Sequence, residues 1–258
     1  MAMVDYANRG PAAVVTLCRA DKRNSLSRGL IDELSSAFAR AAADPAARCV
    51  ILAAEGPVFC AGMDLAELQE AISASRESTP VWDDALRLAR LYDQIYNLAL
   101  PTIAVVQGAA VAGGAGLTTV CDLCLTGEDA KFGYPEVRRG LVAAMVMPHL
   151  LRHVGERMAR YLLLTGELID AAAALGCGLV NEVMPAVQLM TRAEALAASL
   201  AAGGPGALAK TKELLRRFSH QSLSVEESAR GSVEPRLTDE CQQGLRAFFA
   251  KQPAPWNG

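Results

Sequence analysis

Two short runs constrain this chain more than anything else in it: Cys49 to Ala53 (CVILA) and Thr102 to Val106 (TIAVV). A strand that faces water on one side alternates apolar and polar residues. These runs do not alternate. They read as strands buried on both faces, the condition of a parallel sheet covered by helices. Each is followed by a loop containing glycine and then by a helix start. The first loop is EGPVFCAGMDL, with the helix start around Met63-Asp64; the second begins at Gly108 and includes AVAGGAG, with the helix start after Gly113-Gly114.

Helical patterns fill the space between such strands. Ala12 to Arg19 (AAVVTLCR) reads as part of a hairpin, with Asp21-Lys22-Arg23-Asn24 turning away from it. Ser27 is the expected N-cap of a helix from Arg28 to about Ala43, where Leu30, Leu34, Ala37, Phe38 and Ala41 recur at helical spacing. Asp64 with Glu67 resembles a capping box for the next helix. Residues 70 to 80 (EAISASRESTP) are small and polar and read as a mobile surface segment. Trp82 to Leu98 and Leu117 to Leu123 read as helices, Leu123 to Thr126 as a third strand, and Ala130 to Phe132 as a short fourth. From Gly140 onward the pattern is mostly helical, with a turn at Gly176 to Gly178, a strand at Val180 to Val183, and Gly203 to Gly206 between two C-terminal helices. No internal repeat is visible. Strands alternating with helices give an α/β class with a helical C-terminal portion.

Composition mainly excludes. A formal net charge of -3 points to neither a nucleic acid nor an anionic membrane as partner. The stretch from Leu98 to Leu117 is broken by Pro101, Gln107 and glycines, and would make a poor membrane helix. The N-terminus, MAMVDYANRG, lacks the basic and apolar regions of a signal peptide. Seven irregularly spaced cysteines suit a reduced, cytoplasmic chain. Cys121 and Cys124 form a lone CxxC, read as buried thiols rather than a redox or zinc pair. His149 and His153 lack the glutamate of HExxH and read as residues on a helix face, so no metal is expected.

The loop after each buried strand places backbone N–H groups at a helix N-terminus, where unpaired donors and the helix dipole favour negative charge. Two such groups converging on one point would bind a carbonyl oxygen that becomes an oxyanion. Glycine-rich turns between strand and helix are also common without any such role. Gly113-Gly114-Ala115-Gly116 is not GxGxxG, which argues against a dinucleotide site.

Taken together, Asn24-Ser25-Leu26, Phe59-Cys-Ala-Gly-Met-Asp-Leu65, Gly108 through Gly116, Cys121-Asp122 and Phe132-Gly-Tyr-Pro-Glu-Val-Arg-Arg-Gly-Leu141 resemble the enoyl-CoA hydratase/isomerase (crotonase) superfamily. The match runs in register over roughly residues 10 to 185 and more weakly to the end. The resemblance implies a repeated ββα spiral core over residues 1–195, carrying an acyl-CoA site. It implies a helical trimerisation region over 196–258 and a trimer or a dimer of trimers. It implies an acyl-CoA thioester substrate, with no cofactor beyond the coenzyme A that the substrate carries. In that family the residue after the glycine of AG-x-D, here Met63, and the middle glycine of the Gly-rich turn, here Gly113, supply the oxyanion-hole N–H groups. Residues 63 to 66 (Met63, Asp64, Leu65, Ala66) would line the thioester and pantetheine end. Ala61, Gly114 and Gly116, in the same loops, are counted with them. Arg23, Asn24 and Leu26 would approach the coenzyme A nucleotide. Lys251 matches a position that can approach its phosphates, or is a solvated lysine.

Many hydratases of the family use two glutamates. The first would lie at Gly116, so it is missing here; the second matches Glu136. The resemblance makes Glu136 the proton carrier, although a glutamate after Pro135 could also simply favour a helix N-terminus. The reading is an enoyl-CoA hydratase. A Δ3,Δ2-enoyl-CoA isomerase using Glu136 alone, and a binding protein without turnover, are the alternatives. Arg138 or Arg139 could pair with a carboxylate on the acyl chain, or be solvated. Asp64 and Asp122 read as structural carboxylates.

Overall fold

A computed structural model describes residues 2–74 and 79–220 and isolated positions from 239 to 255. The large sheet has six strands in the order β1 (Val4–Arg9), β2 (Ala12–Leu17), β3 (Cys49–Ala54), β5 (Thr102–Val106), β7 (Leu123–Gly127) and β10 (Glu182–Met184). Only β1 and β2 are antiparallel; the other pairs run parallel. The small sheet is β4 (Val58–Cys60), β6 (Ala109–Val111), β8 (Lys131–Gly133) and β9 (Leu168–Asp170).

The helices are α1 (Arg28–Ala43), α2 (Leu65–Ala74), α3 (Thr79–Asn97), α4 (Gly113–Val120), α5 (Met147–Thr165), α6 (Ala171–Gly176), α7 (Leu189–Ala201) and α8 (Pro205–His220). Each turn of the chain lays a long strand in the large sheet, a short one in the small sheet, and then a helix. That is the ββα spiral: β3-β4-α2, then β5-β6-α4, with β7-β8 followed by a 3-10 turn at Pro135–Arg139.

The apolar runs are apolar because both faces are covered. Val50 and Leu52 of β3, with Ala104 and Val106 of β5, point into the main core beside Leu34, Phe38 and Leu88. Ile51, Ile103 and Val105 point the other way, against Leu189, Ala193 and Ala197 of α7. The division drawn after residue 195 therefore falls within α7, whose apolar stripe covers the outer face of the large sheet.

Several local expectations need correction. The hairpin at the start of the chain is present, with β1 preceding β2 as its antiparallel partner. Ser27 caps α1 as read, accepting from Leu30 N at 3.2 Å. The capping box at Asp64 is only half formed. Asp64 Oδ1 accepts from Ala66 N, but Glu67 reaches sideways and accepts from Arg28 N at 2.8 Å, capping α1 instead. The segment 70–80 is helical where described: residues 70–74 belong to α2 and 79–80 to α3, while 75–78 lie outside the described residues. The helix expected at Leu117 to Leu123 begins earlier, at Gly113, and ends at Val120.

Candidate active site

Parallel pairing brings the two loops together. Ile51 lies opposite Ile103 in the large sheet and Val58 opposite Ala109 in the small one, so the segments leaving β4 and β6 are neighbours. A Cβ placed on Gly113 would be 3.7 Å from Gly62 Cα, and one placed on Gly62 would be 3.2 Å from Gly113 N. Gly62 has φ +90°. Ala112, immediately before α4, has φ 53° and ψ −125°, a region that costs a residue with a Cβ about 1–3 kcal/mol.

Met63 is held by a single bridge to Leu26. Leu26 N donates to Gly62 O at 2.8 Å and Asp64 N donates to Leu26 O at 3.1 Å. In that pairing the flanking groups face Leu26, and the N–H of Met63 points the other way. Gly113 opens α4, so its N–H has no acceptor inside the helix. Among the described residues, no acceptor takes the N–H of Met63 or of Gly113.

Both residues line one cavity of about 230 Å³. Ala61, Leu65, Leu68 and Leu88 share its wall, and Pro135, Glu136 and Arg139 close another side. Glu136 comes from the 3-10 turn that follows β8. Its Oε2 is buried and has no hydrogen-bond partner among the described residues. Burial pushes its carboxyl above the ordinary glutamate range, against the opposing pull of its own backbone N–H and the Arg139 charge. Arg139 has no ion-pair partner among the described residues, whereas Arg138 donates from Nε and Nη2 to Thr165 O at 3.3 Å.

Not every expected contact residue reaches this cavity. Asn24 is fully buried and spent internally: its Oδ1 accepts from Arg19 N, and its Nδ2 donates to Glu55 O and Val58 O. Leu26 is buried beneath Gly113, with its Cδ1 3.2 Å from where a Gly113 Cβ would be. Arg23 is exposed, and its carbonyl accepts from Ala61 N at 3.0 Å. Asp64 is paired with Arg19 at 2.8 Å, and Ala66 is exposed. Gly114 is pressed against β4, where an added Cβ would lie 2.2 Å from Cys60 O. These residues build the two loops, and the cavity takes Ala61, Met63, Leu65, Gly113 and Glu136.

Two residues were missed. Arg19 gathers Ser25 and Asp64, but a lone arginine at a strand end carries no signal. Tyr92 of α3 lines the cavity while only 2% exposed, and its hydroxyl donates to Gly113 O at 2.6 Å. Along the chain it reads as one more core position beside Leu88, Leu91 and Ile95. It also explains Gly116, where an added Cβ would meet Tyr92 Oη at 2.4 Å and Val146 Cγ1 at 2.6 Å. The space toward which a side chain at 116 would grow is full.

The remaining candidates are structural. Asp122 accepts from Thr102 N and Thr102 Oγ1 and pairs with Lys212 at 2.6 Å. Cys121 and Cys124 are buried, which pushes the Cys121 thiol up to about 12 and raises that of Cys124 as well. His153 Nε2 lies 2.9 Å from Thr119 O, and the His149 ring meets Tyr96 edge-on. No group of three or more metal-ligating side chains occurs among the described residues. Nor is any described helix long and apolar enough to cross a membrane.

A family model described as enoyl-CoA hydratase/isomerase matches residues 8–258. The chain is 35% identical over 254 residues to the enoyl-CoA hydratase EchA19 of Mycobacterium tuberculosis, covering 95% of this chain and 92% of that one. It is 32% identical over 251 residues to the 2,3-dehydroadipyl-CoA hydratase of Escherichia coli, covering 95% and 94%. Its structure superposes on an enoyl-CoA hydratase from Shewanella pealeana with a TM-score of 0.93 at 29% identity, covering 98% and 96%. A match of this extent, carried through both sheets of the spiral, shows that the chain belongs to the enoyl-CoA hydratase/isomerase (crotonase) family.

Proposed function

We propose that the protein adds water across the 2,3 double bond of an enoyl-CoA thioester. One observation carries this reading: two unspent backbone N–H groups, on Met63 and Gly113, line the same largely apolar cavity as a partly buried carboxyl with an unpaired oxygen. The thioester carbonyl accepts from the two amides, which stabilise it most as charge develops on its oxygen. Removing one such donor typically costs about 3–4 kcal/mol of barrier. Glu136 takes a proton from water as the water oxygen attacks C3, and the resulting enolate is held by the amides. The same carboxyl then delivers that proton to C2, and the thioester re-forms. Arg23, exposed beside the loop, and Lys251 are the cations proposed for the coenzyme A phosphates. The name of the Escherichia coli relative and Arg139, which lines the cavity with no ion-pair partner among the described residues, together favour acyl chains that end in a carboxylate.

The test follows the loss of conjugated-thioester absorbance with straight, branched and dicarboxylic 2-enoyl-CoA substrates. Glu136→Gln should lower kcat/KM by about 10²–10⁴-fold on the best of them. Arg139→Ala should lower kcat/KM for the dicarboxylic substrate selectively. Among the described residues Glu136 is the only carboxylate lining the cavity, which also suits Δ3,Δ2 isomerisation, since that reaction needs the oxyanion site and one mobile proton. Turnover of 3-enoyl but not 2-enoyl thioesters would select that reading. Coenzyme A binding without turnover of either would leave a binding protein.

A further inference from the structure

Hydration needs more than a proton carrier. The water must be held with a lone pair aimed at C3, and a carboxylate that accepts one of its hydrogens leaves it free to rotate. A second acceptor removes that freedom. Among the described residues, the polar side chains lining the cavity are Tyr92, Glu136 and Arg139. Arginine has five donors and no acceptor. A phenol has one donor and two lone pairs. The donor of Tyr92 is committed to Gly113 O at 2.6 Å, which fixes the rotation of the hydroxyl. No described group donates to its oxygen.

We propose that Tyr92 is a second catalytic residue, whose hydroxyl oxygen accepts one hydrogen of the attacking water while Glu136 accepts the other. This assignment rests on the hydratase reading above. The step balances without Tyr92 changing state. The water oxygen bonds to C3, the π pair moves toward the thioester oxygen, and the transferred proton goes to Glu136 and then to C2. The second hydrogen stays on the new hydroxyl. Burial holds the Tyr92 phenol well above its ordinary range, so it stays neutral throughout and serves as an acceptor rather than a base. The packing at Gly116 points the same way, because a second carboxylate there has no room beside Tyr92 and Val146.

The test compares two reactions of the same protein: hydration of a 2-enoyl-CoA, and exchange of the α-hydrogen of the matching saturated acyl-CoA in D₂O. Exchange uses the oxyanion site and Glu136 but no attacking water. Tyr92→Phe should lower the kcat of hydration by about 10- to 100-fold with KM little changed, while exchange changes less than about 3-fold. Tyr92→Gln keeps an acceptor oxygen and should hydrate faster than the Phe variant. Equal loss of both reactions would reduce Tyr92 to a brace for Gly113 and overturn the proposal, as would undiminished hydration in Tyr92→Phe. A wild-type protein that exchanges but never hydrates would instead overturn the hydratase reading, and this assignment with it.

Discussion

Glu136 shows how a single residue's surroundings become a measurable property. Because burial raises its carboxyl above the ordinary range, the acidic limb of kcat/KM against pH should lie above that of an exposed glutamate, with rate lost as pH falls through it. The same burial has a stability sign. A carboxyl whose folded pKa is raised contributes stability that is fully present below its unfolded pKa and is lost as pH rises through the folded value. Glu136→Gln should therefore melt higher than wild type at pH 7, and the difference should vanish near pH 4. A variant that melts lower at pH 7 would mean that the ionised carboxylate has a stabilising partner. The residue's place after Phe132-Gly-Tyr-Pro135 was legible in the sequence. Its unpaired oxygen was not, since that depends on which side chains close around it.

At the scale of elements, the geometry of the proposed oxyanion site is stored in the two turns that enter α2 and α4. Ala112 stands in a conformation that suits glycine, so Ala112→Gly should stabilise the protein by about 1 kcal/mol, reversing the usual penalty of a glycine. Thermal melts would show this as a rise of about 2–4 °C. A fall would mean that the turn is not strained. Gly114 behaves in the opposite way. A Cβ 2.2 Å from Cys60 O forces β4 and α4 apart, so Gly114→Ala should cost about 3 kcal/mol by denaturant titration. The short strands β4 and β6 escaped sequence reading because three residues are too few to show a period, and both looked like loop. Helix α4 was placed late for a related reason: glycines are poor helix formers, and only packing against β4 and Leu26 makes Gly113 and Gly114 a helix start.

On the scale of the whole molecule, the spiral is tied to its C-terminal helices by buried polar contacts as well as apolar ones. Lys212 of α8, 7% exposed, donates to Leu100 O and pairs with Asp122. Lys212→Ala leaves Asp122 with only its Thr102 hydrogen bonds and removes the side-chain donor to Leu100 O, and should cost about 2 kcal/mol, between the values for surface and buried pairs. If the melting curve does not move, Thr102 and water already satisfy Asp122. Leu151 and Leu164 of α5, and Leu168 just after it, stay exposed. Exposed apolar residues of that kind suit an interface between chains, and the trimer or dimer of trimers that the family resemblance implies can be checked by light scattering.

The sequence by itself determined what depends on local chemistry: two strands buried on both faces, the Ser27 cap, the α/β class, and an ordered set of motifs that identified the family and singled out Met63, Gly113 and Glu136. The period of 2 or 3.6 and the side-chain types suffice for those. Tertiary structure decided what depends on residues far apart in the chain. It brought Gly62 against Gly113, turned Asn24 inward as a brace, sent Glu67 to cap a different helix, and set Tyr92 in the space beside Gly116. Those outcomes follow from how parallel strands and the helices between them stack, and no window along the chain contains that information.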